Sequence, residues 1–183
     1  MKKFFIHILL LVMSSLVIAD PVKVSDVTIA QSIRNILGPD IKINYIKFKI
    51  DQNIDLKEKT GHINLYLYPE TATVKPFLFE GIIKGKENLD VANHKLIVFK
   101  SNKVDFTDDN KISKISGLLT VRNRTVPLHF KITSFICQGE SGDRTCDISS
   151  NAALDRTQLG ITYGTKIGLS KQAPITVKLK LKE

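Results

Sequence analysis

The feature that most limits what this chain can become is a hydrophobic period of two that recurs along most of its length. It is clearest at the end. There Ile175, Val177, Leu179 and Leu181 alternate with Thr176, Lys178, Lys180 and Lys182. Successive side chains of an extended strand point to opposite faces, so this segment reads as a strand with one dry face and one very basic face. The same period runs through Ile41, Ile43 and Tyr45, and through Ile63, Leu65 and Leu67 before Pro69. Phe77 and Phe79 add an alternating pair ahead of Gly81, and Leu96 to Phe99 is a compact apolar run. Leu119 and Val121 lead into the polar Arg122-Asn123-Arg124-Thr125, and Val126, Leu128, Phe130 and Ile132 lead out of it, which is a hairpin signature. Seven or more short strands joined by polar turns predict an all-β barrel or sandwich.

Two stretches depart from the regular pattern. After Tyr45 the apolar parity switches to Ile46, Phe48 and Ile50, which predicts a bulge or two separate strands. Within Asp20 to Pro39, Val24, Val27, Ile33 and Leu37 fall near helical spacing, Ser25 or Asp26 is placed to cap, and Gly38-Pro39 is a stop signal. This predicts a short amphipathic helix, with a first strand as the alternative. Some strands also carry bulky residues on both parities, such as Tyr66 and Tyr68 against Leu65 and Leu67. That suits either a sandwich strand buried on both faces or a barrel wall with an apolar lumen and a partly covered exterior.

The N-terminus has a different character. Lys2 and Lys3 precede an almost unbroken apolar run from Phe4 to Ile18, and Val17-Ile18-Ala19 puts small residues where a signal peptidase cleaves. The run is short for a membrane span, which needs roughly 20 apolar residues. Residues 1–19 therefore read as a cleaved secretory leader and 20–183 as one domain, exported to a periplasm. Losing Lys2 and Lys3 lowers the formal charge from +9 to +7. The rest of the composition, 43% hydrophobic and 25% charged, is that of an ordinary globular chain and excludes a multi-span membrane protein. Export agrees with Cys137 and Cys146, which bracket a polar, Gly-containing stretch and read as a disulfide. Closing so short a loop contributes roughly 2.5–3 kcal/mol in the chain-entropy treatment.

Little in the sequence points to catalysis. His62, His94 and His129 lie on separate segments with no metal-ligand spacing. There is no Gly-x-Ser-x-Gly elbow and no Gly-rich phosphate loop after a strand. The chain is read as a non-enzyme without a cofactor or metal. Arg122, Arg124 and Arg156 stand out among the basic residues, because a guanidinium near a barrel mouth suits an anionic head group as well as solvent. The positive charge also suits an anionic membrane surface. Nucleic acid is not expected, since no basic-aromatic motif of the RNP type is present.

Three stretches carry a resemblance. Gly117-Leu118-Leu119-Thr120-Val121-Arg122-Asn123-Arg124-Thr125-Val126-Pro127-Leu128 resembles the Gly-x-Leu-Thr-hydrophobic-x-Gly-x-Thr-x-Pro-hydrophobic stretch of the YceI-like family. Ala153 to Ile161, with Arg156 and Gly160, is similar to its hydrophobic-x-Arg-x-x-Phe-Gly-hydrophobic stretch, and Ile97-Val98-Phe99-Lys100-Ser101 to its Ile-x-Phe-x-Ser strand. The order and spacing agree over roughly Gly61 to Glu183. Asn123 replaces the usual turn Gly, His94-Lys95 replaces a Tyr-Pro, and Asp20 to Thr60 matches poorly. The Cys137 and Cys146 pair is not a general family feature.

The resemblance implies a single antiparallel, lipocalin-like barrel with an apolar lumen that holds a polyisoprenoid or related long-chain lipid. Period-two parity then makes Ile97, Phe99, Leu119, Val121, Phe130 and Ile132 the expected lumen-facing residues, and Arg156 the matching Arg. The expected function is sequestration or carriage of an isoprenoid-type or fatty amphiphile. The alternative is a basic, disulfide-stapled barrel with a closed interior that works by surface contacts with a protein or an anionic membrane.

Overall fold

A computed structural model describes residues 23–140 and 143–182. The expected leader, residues 1–19, and its cleavage point lie outside the described residues. The described residues form ten strands: β1 (Lys23–Ile33), β2 (Ile41–Tyr45), β3 (Phe48–Asp55), β4 (Thr60–Leu67), β5 (Thr73–Lys75), β6 (Ile97–Phe106), β7 (Ile112–Val121), β8 (Arg124–Gln138), β9 (Thr145–Ala152) and β10 (Ile175–Lys182). One short helix, α1 (Glu80–Lys84), follows β5.

All ten strands join one antiparallel sheet in the order β3-β4-β6-β7-β8-β9-β10-β1-β2-β5. β2 and β3 are consecutive in the chain yet sit near opposite margins of the sheet, with only Ile46 and Lys47 between them. The sheet must therefore curl strongly until its margins approach at that corner, giving a half-barrel. The Lys47 carbonyl accepts a bond from the Tyr68 N–H at 3.0 Å, and the Lys47 N–H donates to Thr71 Oγ1 at 3.1 Å. These bonds tie the corner to the 3-10 turn at Pro69–Thr71 that carries β4 into β5. Register shifts in β1, β6 and β8 add the local bend that bulges supply.

The parity switch after Tyr45 is this corner: two strands, not one bulged strand. The N-terminal segment is a strand, not the expected helix. Val24 and Val27 are three apart because the register shifts between Val24 and Asp26, so a bulge produced the helical spacing. From Val27 onward the inward positions are Ile29, Gln31 and Ile33, and the polar Gln31 hides the alternation. Phe77 and Phe79 also depart from expectation. Pro76 has no N–H to offer a ladder, and Phe77–Phe79 is a 3-10 turn leading into α1.

One continuous apolar core fills the concave side, including Ile29, Ile43, Leu65, Phe99, Leu119, Leu128 and Val177. The outward tyrosines are covered from above. Lys47 Nζ lies 4.9 Å from the Tyr68 ring centre and Lys49 Nζ 6.0 Å from that of Tyr66. Bulk on both parities thus reflects a curled wall with a partly covered exterior, not a second sheet.

The register sorts the connections into two ends. At one end lie the turns β3–β4, β6–β7 and β8–β9, and there Cys137 and Cys146 stand directly opposite each other and are disulfide-bonded. At the other end lie the β1–β2 loop (34–40), the 76–96 segment with α1, the Arg122-Asn123 turn and the long 153–174 segment. This second end is the capped end.

Candidate functional site

The half-barrel interior contains two apolar cavities. The larger, about 40 Å³, lies under the capped end, and the smaller, about 10 Å³, lies toward the disulfide end. Ile97 and Phe99 from β6, Leu119 and Val121 from β7, and Phe130 from β8 all line the larger one, as does Arg156 from the cap. Ile132 lines the smaller one. The seven residues singled out from parity and motif are therefore interior residues, divided six to one between two cavities. β7 explains the grouping. Its inward positions Ile115, Gly117, Leu119 and Val121 run from the smaller cavity to the larger.

Two aromatic rings pack together in the wall of the larger cavity. The Phe99 and Phe130 rings meet edge to face, with centroids 5.2 Å apart. Gly117 leaves the room for this. A Cβ there would sit 2.7 Å from Phe99 Cζ and would run into the Lys100 carbonyl of β6. Gly at the head of the 117–128 motif thus permits two close approaches at once, ring over backbone and strand against strand.

The roof of the larger cavity comes from segments without periodicity. Leu89 reaches in from the loop after α1, and Leu154, Leu159 and Ile161 from the 153–174 segment. Both segments are fastened by residues of the β7–β8 turn. Arg122 Nη1 donates to the Asn88 carbonyl at 2.9 Å, and Asn88 Nδ2 donates to the Ile82 carbonyl at 2.9 Å. The Arg124 guanidinium packs on Gly160, where a Cβ would come within 2.9 Å of its Cζ. Gly160 has φ of 72° and ends the 3-10 turn Arg156–Leu159, whose start is capped by Asp155 accepting from the Thr157 N–H at 2.9 Å. The three arginines of the sequence analysis are brought to one end, with distinct tasks: two fasten the roof and one lies beneath it.

Arg156 is that third residue, 2% exposed. Its Nε donates to the Ser170 carbonyl at 2.8 Å and its Nη1 to the Ile161 carbonyl at 3.4 Å. Its Nη2 is buried without a hydrogen-bond partner. Burial pushes the guanidinium below its ordinary pKa, while the neighbouring Asp155 carboxylate pulls the other way. A guanidinium nevertheless stays charged in proteins. The Asp155 carboxylate accepts from the Thr157 N–H at 2.9 Å and from the Thr157 hydroxyl at 2.6 Å. The other polar groups lining this cavity are Gln31 and Tyr45, which hydrogen-bond each other: Tyr45 Oη donates to Gln31 Oε1 at 3.0 Å. Burial pushes the Tyr45 phenol well above its ordinary pKa, so it stays neutral. Gln31, Tyr45 and the roof residues were not singled out from sequence. The first two lie in the segment that matches the motifs poorly, and the roof has no period to read. Among the described residues no three His, Cys, Asp or Glu side chains form a group able to hold a metal ion.

The arrangement is an apolar tube with a charged donor near one end. Three comparisons bear on it. Among solved structures, BcnA from Burkholderia cenocepacia superposes with a TM-score of 0.66 at 15% identity, covering 86% of this chain and 96% of that one. A Campylobacter jejuni YceI protein gives 0.61 at 14% identity, covering 77% and 84%. A polyisoprenoid binding domain from Saccharophagus degradans, implicated in plant cell wall breakdown, gives 0.60 at 6% identity, covering 88% and 97%. At these identities the likeness is one of fold. No curated protein matches the chain. The sequence profile of the YceI-like domain matches residues 49–181, from the bent corner to the last strand, and with that match the chain belongs to the YceI-like family.

Proposed function

We propose that this protein is an exported carrier that holds a long-chain isoprenoid or fatty amphiphile inside the half-barrel, with the polar end of the ligand at Arg156. The observation that carries this reading is a largely apolar cavity lined by the buried Arg156, whose Nη2 has no hydrogen-bond partner. A buried donor left unsatisfied costs about 1–3 kcal/mol, and more when charged. An oxygen on the ligand's polar end would recover that cost. The tail would lie along the cavity axis toward Ile132, and each CH₂ taken from water would contribute about 0.8 kcal/mol. A polyisoprenoid binding domain with the same fold supports the same ligand class. The expected site of action is the periplasm.

A cavity of about 40 Å³ has room for roughly three waters. A long tail therefore enters only as the interior widens, and the roof segments and the Phe99 and Phe130 ring pair are the parts that must give. The small volume also favours a second reading, a closed core that acts through its surface. Native mass spectrometry of protein exported with its own leader and purified without detergent separates the two, with an organic extract run in parallel. A stoichiometric mass excess that extracts as a long-chain lipid supports carriage. An apo mass, together with failure to load farnesol, a long polyprenol or a fatty acid, would leave the closed core as the better reading.

A further inference from the structure

The two ends of the half-barrel differ in one respect that cavity binding does not require. At the disulfide end, the turns expose Lys57, Glu58 and Lys59, then Asp108, Asp109 and Asn110, then Glu140, Asp143 and Arg144. At the capped end, Ile36, Leu37, Phe77, Leu78 and Ile167 project from three separate loops, each between 66% and 80% exposed. Ile36 and Leu37 adjoin Ile167. The Ile36 N–H donates to the Gly168 carbonyl at 3.1 Å, and a Cβ on Gly168 would touch both side chains. Phe77 and Leu78 follow β5, whose last residue Lys75 pairs with Lys42 at the start of β2, directly after the Ile36-Leu37 loop. Arg34, Lys75, Lys166 and Lys171 stand exposed on the same segments, and none of them makes a salt bridge among the described residues.

We infer that the capped end docks on an anionic phospholipid bilayer, with Phe77, Leu78, Ile36, Leu37 and Ile167 entering the headgroup and upper acyl region. Apolar side chains on separate loop tips, with unpaired cations on the same segments, suit an interface whose surface is negative and whose interior is apolar. Charge complementarity selects the bilayer over a second copy of this chain, which would bring the same cations face to face. The surface adjoins the roof of the larger cavity, since 153–174 supplies both Ile167 and the roof residues Leu159 and Ile161. The inference goes beyond cavity binding and stands whether or not the interior takes a lipid.

Sedimentation with vesicles of equal parts phosphatidylglycerol and phosphatidylethanolamine, against pure phosphatidylcholine, tests it. The wild type should partition onto the anionic vesicles and be released by salt. Phe77→Ser with Leu78→Ser, or Ile36→Ser with Leu37→Ser, should weaken binding roughly tenfold. Lys75→Glu with Lys166→Glu should weaken it on anionic vesicles and flatten its dependence on salt. Ile136→Ser, which removes an exposed apolar side chain toward the disulfide end, should change nothing. These side chains are largely exposed, so unfolding curves should stay at wild type. No vesicle binding, equal loss in Ile136→Ser, or binding indifferent to the two serine pairs would overturn the inference. So would conversion of a dimer to a monomer by those pairs with vesicle binding intact. Uptake of cis-parinaric acid, measured without vesicles, reports separately on the interior, so failure of docking and failure of carriage are distinguishable.

Discussion

Single residues decide the geometry at several points. Gly117 has no room for a Cβ, because the neighbouring strand's Lys100 carbonyl and the Phe99 ring occupy that space. Gly117→Ala should destabilise by about 2–3 kcal/mol, read by urea unfolding, since backbone and ring must both shift. In the β7–β8 turn, Arg122 and Asn123 have φ of 50° and 61°, which a two-residue hairpin of this hand demands. Arg122 is held there by its bond to the Asn88 carbonyl. Asn123→Gly should keep the turn and raise stability by about 0.5 kcal/mol, read the same way. Acid acts elsewhere. The Lys111 ammonium and the Thr107 hydroxyl hold the Asp109 carboxyl at about 2, below its ordinary value. A carboxylate depressed on folding contributes stability above its unfolded value near 3.9 and loses it as pH falls through the folded one. The Thr107–Lys111 turn should therefore persist at pH 4 and loosen toward pH 2, seen as a shift of the Asp109 side-chain carbon resonance with a midpoint near 2.

At the scale of elements, β8 and β9 are stapled where their ladder ends. The Cys137–Cys146 bond closes a separation of nine residues. The double Cys→Ser variant, or reduction, should lower stability by about 2.5 kcal/mol. Amide exchange should rise first around Gln138 and Thr145 and leave the roof around Arg156 protected, because the staple and the roof are at opposite ends. The β10 strand shows the opposite balance between pattern and context. Its basic face, Lys178, Lys180 and Lys182, lies outward, and Lys180 and Lys182 reach Asp147 and Asp143 at 3.6 and 3.3 Å. Such exposed pairs contribute little. What holds β10 is its buried face, Val177 and Leu181, and its pairing with both β9 and β1.

For the whole molecule, the decisive object is the Phe99 and Phe130 ring pair in the wall of the larger cavity. If the interior is a lipid site, Phe99 and Phe130 set how far a tail penetrates. Phe99→Ala should enlarge the larger cavity, cost about 3–5 kcal/mol of stability and raise the amount of long polyprenol bound relative to farnesol. Extraction and mass spectrometry of loaded protein would read this ratio. An unchanged ratio in a folded variant would show that the rings do not limit the tail. Val121→Trp should instead fill the larger cavity and reduce uptake of both.

Period two determined most of this fold before any tertiary contact was known, because a strand with one buried face must alternate. The order of three short motifs indicated the family, and parity read with that resemblance put Ile97, Phe99, Leu119, Val121, Phe130 and Ile132 on the inner wall. Where local pattern and tertiary demand conflict, the sequence misleads. A bulge after Val24 imitated a helix, and Pro76 ahead of Phe77 and Phe79 ended what looked like a strand. The roof over Arg156 had no period: Leu154, Leu159 and Ile161 lie in a motif without alternation and Leu89 in none, and their segments are placed by a long-range bond from Arg122 and packing by Arg124. Closure was beyond local pattern as well. Only the pairing of distant strands shows that β2 and β3, two residues apart, stand near opposite margins of one sheet, and it is this that folds a flat alternation into an interior.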